Sequence, residues 1–140
     1  MNIQDFFSST YEFYLDKVAY THKTKSSDNT AYTLNCVDNI STRIVDDSKL
    51  EVTVSRILEF TPDDLYSLSV SFVVVLQIID GKKKELLLIK DLSFELAKGG
   101  QFFLYDIVSR MSSLISNITA SYGQPPVITP PVLALSAVTQ

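Results

Sequence analysis

The sequence predicts an α+β fold, an antiparallel sheet followed by one long C-terminal helix, and two patterns support this prediction. Apolar and polar residues alternate along residues 50–60 and in the first half of residues 66–79, as in strands with one buried face. From residue 104 to residue 122 the apolar residues instead recur at spacings of three and four, as on an amphipathic helix. Gly99 and Gly100 separate the two patterns, and Gly123 ends the helix.

Length and composition predict one folded domain over residues 1–140, with an N-terminal arm at 1–12 and an extended tail at 124–140. Hydrophobic residues make up 46% and charged residues 20%, which excludes an intrinsically disordered chain. The net charge of -4 argues against binding to nucleic acid or to an anionic membrane, because phosphate contacts need clustered Lys and Arg. The single cysteine, and the absence of a secretory leader or a bilayer-length apolar run, predict a cytoplasmic protein without membrane insertion.

The predicted strands follow one another along the first two thirds of the chain. Residues 13–21 are predicted to form an edge strand, and residues 31–47 either a strand with a bulge or an irregular loop. Arg56 interrupts the apolar face of the strand 50–60, and a turn at 61–64 leads into the strand 66–79. Asp80 and Gly81 signal a hairpin, so residues 85–96 are predicted to return as the partner strand. The second half of the strand 66–79 is apolar on both faces, which predicts that a second subunit covers it.

Arg110 is the last charged residue of the chain. Surfaces of soluble proteins normally carry spread charges, so we expect another protein chain to cover the following segment. For the apolar residues of the tail, the chain's own sheet could supply the cover as well as a neighbouring subunit. The polar face of the helix carries mostly small hydroxyl residues, which let another backbone approach closely; a plain surface helix of low charge is the alternative. Four prolines within residues 124–140 prevent a helix or a central strand there and predict an extended tail.

Side chains that carry chemistry are scarce. His22 lies beside a polar linker, without a cysteine or paired carboxylate at metal-ligand spacing, and Cys36 has no histidine motif near it. The acidic pairs at 46–47 and 63–64 lie at turns, where Asp commonly accepts hydrogen bonds from backbone amides. No nucleotide-binding glycine motif is present. We therefore expect no catalysis, no cofactor and no metal site.

Several strings resemble the SecB export chaperones of bacteria. Residues 114–132, LISNITASYGQPPVITPPV, resemble that family's last helix and its proline-bearing tail. The string DDLY at residues 63–66 resembles the start of its third strand, and KLEV at 49–52 and YLDKVAY at 14–20 resemble its earlier strands. Four features depart from the family. The Tyr-Ala-Arg-Glu that begins its last helix is replaced by RMSS at 110–113, and its short preceding helix is reduced to residues 98–103. An Asn-Phe after the proline tail is replaced by LA at 133–134, and residues 31–47 are unmatched.

The resemblance implies a four-stranded antiparallel sheet with one long helix packed against it, assembled as a dimer of dimers. It implies a chaperone for protein export that holds unfolded or preprotein chains in apolar grooves without ATP. Apolar grooves suit such clients, because burial of apolar surface does not depend on their sequence. It also implies contact with the translocase motor SecA, for which Asp63 and Asp64 are the candidates. The candidate client-binding residues, each with ordinary core packing as its alternative role, are Leu50, Val52, Val54, Phe102, Phe103, Met111, Leu114, Ile115 and Ile118.

Two other functions remain open on the sequence. The missing translocase features make a SecB-like chaperone dedicated to one partner, such as an antitoxin, a reasonable alternative. A small-molecule-binding accessory domain on the same scaffold is the second, because a fold does not determine a function.

Overall fold

The computed structural model describes residues 2–24, 31–121, 123 and 125–134. A 3-10 turn, Ile3–Phe6, leads into four strands, β1 (Phe7–His22), β2 (Thr33–Ile44), β3 (Lys49–Thr61) and β4 (Tyr66–Ile78). Three helices follow, α1 (Lys83–Leu87), α2 (Leu92–Gly99) and α3 (Gln101–Ala120). The strands pair antiparallel in one sheet of order β1-β4-β3-β2, which confirms the predicted fold class.

The core lies between one face of this sheet and α3. The period-two alternation of β3 and β4 turns one set of side chains inward, and the spacing of α3 places its apolar stripe against them. Burying an aliphatic side chain contributes about 1.5–3 kcal/mol, so this interface is the main source of stability. The described hydrophobic residues with at most 1% exposure are Leu50, Val52, Val54, Leu58, Leu68, Val70, Val74, Leu76, Leu86, Leu96, Phe103, Ile107, Val108, Met111 and Ile115. The apolar face of the charge-free part of α3, residues 111–120, is therefore covered by the chain's own sheet.

β1 begins earlier than the sequence predicted. The predicted arm, residues 1–12, contains the 3-10 turn and the first six residues of β1. The reason is apolar burial, since Ile3 and Phe7 are only 2% and 4% exposed, and the Phe7 ring stacks on Phe102 at 6.3 Å between centroids. The register with β4 shifts between Leu15 and Lys17, so β1 carries a bulge there.

Residues 31–47, which the sequence left open between a bulged strand and a loop, contain the regular strand β2. Its register with β3 runs without a shift from Thr33 to Ile44. The apolar residues of this segment follow neither the two-residue period of a strand nor the helical period of about 3.6 residues. The reason is that the inward face of this edge strand includes two polar residues, Asp38 and Thr42, which lie opposite Arg56 and Val52.

The predicted strand at residues 85–96 is wrong, because these residues lie in α1, α2 and the loop between them. Two signals distinguish helix from strand here. The Asp91 carboxylate accepts a hydrogen bond from the Phe94 amide at 3.1 Å, which caps the start of α2. Leu86 is buried while both residues after it are exposed, which is not the alternation of a strand. The prediction of a short helix at residues 98–103 is also wrong. Helix α2 ends at Gly99, and α3 begins at Gln101.

The described part of the tail, residues 125–134, contains neither helix nor strand. It returns across α3 towards the edge of the sheet, where the Asp38 amide of β2 donates a hydrogen bond to the Ala134 carbonyl at 2.7 Å. Residues 124 and 135–140 of the predicted tail lie outside the described residues. Among the helices that the structure describes, none combines the length and apolar character needed to span a bilayer.

Candidate functional site

The nine predicted client-binding residues divide into a buried and a partly exposed group. Six of them are completely buried in the core of the single chain, with 0% exposure: Leu50, Val52, Val54, Phe103, Met111 and Ile115. The other three, Phe102, Leu114 and Ile118, pack against the core but keep part of their surface exposed. In this conformation only the second group can touch another polypeptide, and client binding by any of the nine stays a prediction.

Polar contacts hold α3 beside β1. The Tyr11 hydroxyl donates to the Asp106 carboxylate at 3.0 Å, and the Arg110 guanidinium lies 4.6 Å from the centre of the Phe13 ring. Arg110 also donates to Asp106 at 2.9 Å, one turn earlier on the helix. Burial, and then the hydrogen bond to Asp106, raise the pKa of Tyr11. These contacts orient one flank of α3 towards the first strand.

Exposed apolar residues continue along this flank. The register places Leu15, Val18 and Tyr20 of β1 on the face of the sheet that α3 covers, because they pair with the inward residues Phe72, Val70 and Leu68. Their exposed fractions are nevertheless 49%, 41% and 40%. On α3, one and two turns beyond Arg110, lie the partly exposed Leu114 and Ile118. We call Leu15, Val18, Tyr20, Leu114 and Ile118 the apolar strip.

The β1 half of the apolar strip was missed by the sequence reasoning. Residues 13–21 show no regular alternation of apolar and polar residues, because the bulge after Leu15 changes which residues face inward. The sequence contains one signal of this bulge. Strict alternation would place the next apolar residue after Leu15 at position 17, but the next apolar residue is Val18.

A second feature, which we call the backbone clamp, is the buried ion pair of Arg56 and Asp38 on neighbouring strands. Both side chains are 0% exposed, and two nitrogens of the guanidinium donate to the two carboxylate oxygens at 2.7 Å each. Arg56 also donates to the Thr129 hydroxyl at 2.8 Å and to the carbonyls of Pro130 and Val132 at 2.6 and 2.9 Å. The Asp38 carboxylate accepts in addition from the Ala134 amide at 2.7 Å. The clamp therefore attaches the tail to the sheet.

Two residues of α3 hold the other side of the tail. Ser112 donates to the Thr129 carbonyl at 2.8 Å and accepts from the Thr129 hydroxyl at 3.2 Å. Thr119 donates to the Ile115 carbonyl within the helix and accepts from the Val127 amide, both at 2.8 Å. At these two positions small hydroxyl residues of the helix allow a backbone to approach closely, and the approaching backbone is the chain's own tail. A contact of this helix face with another chain stays a prediction.

The clamp also determines the local electrostatics. Burial alone would lower the pKa of Arg56, but the hydrogen bonds and charge of Asp38 outweigh it, so the pKa is raised and the guanidinium stays charged. Burial raises the pKa of the nearby Cys36 thiol, with the charge of Arg56 opposing it, which is the opposite of an activated nucleophile.

The two predicted translocase contacts lie in different environments. The Asp63 side chain is 63% exposed and forms an ion pair with Lys23. Asp64 is 5% exposed, so it offers little surface to a partner.

A solved structure shares the fold of this chain. It is a SecB-like chaperone of Mycobacterium tuberculosis, Rv1957, in complex with a ChAD peptide from the Rv1956 HigA1 antitoxin. The two chains superpose with a TM-score of 0.59 at 12% identity, over 85% of this chain and 86% of the other. The fold is SecB-like. A protein of unknown function from Streptococcus agalactiae is also similar, with a TM-score of 0.46 at 10% identity over 86% of this chain and 95% of that one.

No protein-family model and no curated protein matches this chain by sequence. The likeness to the Mycobacterium structure therefore concerns the SecB-like fold.

Proposed function

We propose that this protein is an ATP-independent holding chaperone, and that the apolar strip is part of the surface that binds unfolded polypeptides. The observation that carries the proposal is the exposure of this strip beside α3 on a SecB-like fold. Strand residues that face the helix side of a sheet are normally covered, so three residues with 40–49% exposure leave apolar surface available to a ligand.

The chemistry of the strip fits a client without a fixed sequence. Burial of apolar surface contributes about 25 cal/mol per Å² whatever the order of side chains, so many unfolded segments can bind. The aromatic ring of Tyr20, 5.6 Å from that of Tyr66, adds a surface on which apolar side chains can pack. No chemical step and no nucleotide cycle belongs to this function.

The proposal also covers the oligomeric state of the protein and its partners. We propose a cytoplasmic dimer of dimers in which strips of several subunits form longer grooves, since one strip is short compared with an unfolded client. Export through contact with SecA is proposed at the exposed Asp63.

Suppression of aggregation tests the function. Chemically denatured citrate synthase is diluted into buffer with increasing amounts of the purified protein, and light scattering is recorded without ATP. We expect near-complete suppression at about one oligomer per substrate chain, as for a holding chaperone. Scattering that is unchanged by a large excess would contradict the proposal.

A dedicated chaperone is the second candidate, and the bound antitoxin peptide of the Mycobacterium neighbour favours it. In this case the protein would hold one cognate antitoxin and leave unrelated denatured substrates to aggregate. The same scattering assay with three unrelated substrates distinguishes the two, because a general holder suppresses the aggregation of all three.

A further inference from the structure

We propose that the backbone clamp is a binding site for an extended polypeptide segment, that residues 129–134 occupy it as a built-in competitor, and that a client displaces them. The proposal rests on the chaperone function above and adds a second binding site to the apolar strip. The Arg56–Asp38 pair is the centre of the site, and Ser112 is its wall on α3.

The clamp recognises main chain. Arg56 donates to the carbonyls of Pro130 and Val132, which are two residues apart and therefore point to the same side, as in an extended chain. Asp38 binds both backbone groups of Ala134. The Asp38 carboxylate accepts a hydrogen bond from the Ala134 amide, and the Asp38 amide donates one to the Ala134 carbonyl. Every unfolded polypeptide offers these groups, whatever its side chains.

The prolines of the tail are compatible with such a site. Proline lacks an amide hydrogen, and Arg56 binds Pro130 through its carbonyl. An extended segment that contains proline, which cannot pair as a central strand, is therefore a suitable occupant.

The occupant is held by few side chains. Thr129 is 2% exposed, but its neighbour Ile128 is 76% exposed and Val132 is 56% exposed. Between the tail and α3 a cavity of about 280 Å³ remains, lined by Leu104, Val108 and Leu133 among others. The tail thus satisfies the hydrogen-bonding groups of the clamp without filling its apolar wall, and a segment with larger side chains could bury more surface there.

Tethering makes the tail an effective competitor in spite of these few contacts. It is joined to α3 through a few residues, so its local concentration at the clamp is on the order of millimolar. The buried charges of Arg56 and Asp38 are then hydrogen-bonded whether or not a client is present, which avoids the cost of leaving them unpaired.

Binding of the tail in trans tests the site. A labelled peptide of residues 125–134 is titrated into the full-length protein and into the variant Thr129→Val, with fluorescence anisotropy as the readout. The substitution keeps the shape of the side chain but removes its hydrogen bonds to Arg56 and Ser112. We expect the peptide to bind the variant about five- to tenfold more tightly than the wild type, because the internal competitor is weakened.

The matched control is Ile128→Val, one residue away at an exposed position without a hydrogen bond to the clamp in the described contacts. It is expected to leave the affinity of the peptide unchanged. Equal affinities for the wild type and both variants, with unchanged thermal unfolding, would overturn the site.

Amide hydrogen exchange tests the displacement. Reduced, carboxymethylated α-lactalbumin, which cannot refold, is added as the client, and exchange at Val127 and Ala134, whose amides bond to Thr119 and Asp38, is measured. We expect at least fivefold faster exchange with the client, and release of the labelled peptide from Thr129→Val.

The outcomes separate this proposal from the chaperone function. Client binding with unchanged exchange at both amides would overturn displacement and leave the chaperone function standing. Failure of α-lactalbumin to bind would overturn the general chaperone function and displacement of the tail by such a client. Tighter binding of the trans peptide to Thr129→Val would still support the clamp as a site for an extended segment, and equal affinities would overturn it.

Discussion

Arg56 is the residue whose role the sequence and the structure describe most differently. In the sequence it is an interruption of an apolar strand face. In the structure it is 0% exposed and paired with Asp38, because the β2–β3 register places the two residues directly opposite each other. A buried charge is stable only with a complete set of partners, and those partners come from β2 and from the tail.

Removal of one partner should therefore be costly. We expect Asp38→Leu to lower the free energy of unfolding by about 3–5 kcal/mol, because Arg56 is left buried without its counter-charge. The measurement is the urea midpoint by circular dichroism.

Two further variants show whether the loss of stability comes from the unpaired buried charge. Arg43→Ala removes an ion pair with Glu51. The Arg43 side chain is 74% exposed, so its loss should change the free energy of unfolding little. The double variant Asp38→Leu, Arg56→Met should be more stable than Asp38→Leu alone, since no charge stays unpaired. A double variant less stable than the single one would contradict this view of the pair.

Tyr11 predicts a pH dependence. Its pKa is raised above the ordinary value of 10.0, so the phenol holds its proton more tightly in the folded than in the unfolded chain. Its contribution to stability is complete below the unfolded pKa and is lost as the pH rises through the raised value. We expect the wild type to lose more stability than Tyr11→Phe between about pH 8 and about pH 11, measured as urea midpoints. Parallel losses would show that Tyr11 does not contribute.

Elements with a regular apolar face in the core were predictable, and the others were not. The helix and the strands β3 and β4 follow from their own periods over many residues, since each has one face in the core. Residues 85–96 were misassigned because an apolar run of a few residues fits a strand or a short helix equally well, and packing decides between them. β2 stayed undecided because its inward face carries the polar partner of Arg56.

The corner between α2 and α3 provides a test of close packing at an element boundary. A Cβ at Gly100 would lie 2.5 Å from the Leu96 carbonyl oxygen and 2.9 Å from the Phe103 ring, whereas one at Gly99 would meet only the Ile3 side chain, with its Cγ2 methyl at 2.8 Å. We expect Gly100→Ala to destabilise the protein by about 1–3 kcal/mol and Gly99→Ala by less, because rotation about one side-chain bond moves the Ile3 methyl, whereas a backbone oxygen of α2 moves only with its helix. Thermal unfolding followed by circular dichroism measures both, and a larger effect at Gly99 would contradict this account.

The two proposed polypeptide-binding sites, the apolar strip and the backbone clamp, lie on opposite flanks of α3. The strip is open in the described structure and the clamp is occupied by the tail. A client long enough to reach both could bind first at the open strip and then compete with the tail, so that short segments would be held weakly and long ones strongly.

Substitution in the strip separates client binding from stability. Val18→Glu places a charge among exposed apolar side chains, and we expect client affinity to fall about tenfold, measured by anisotropy with labelled α-lactalbumin. Thr21→Glu, an exposed position on the other face of β1, is the matched control and should bind like the wild type. Equal loss in both variants would indicate a general effect of charge, and the strip would not be the binding surface.

The residue pattern alone was sufficient for the α+β class, the two central strands, the long helix and the absence of charge behind Arg110, because each depends on periodicity or composition along one stretch of chain. The pairing of Arg56 with Asp38, the return of the tail to Ser112 and the exposed flank of β1 required the folded molecule, since they join residues far apart in sequence. Which apolar residue is buried and which stays open depends on how far the helix covers the sheet, and that is a property of packing between elements.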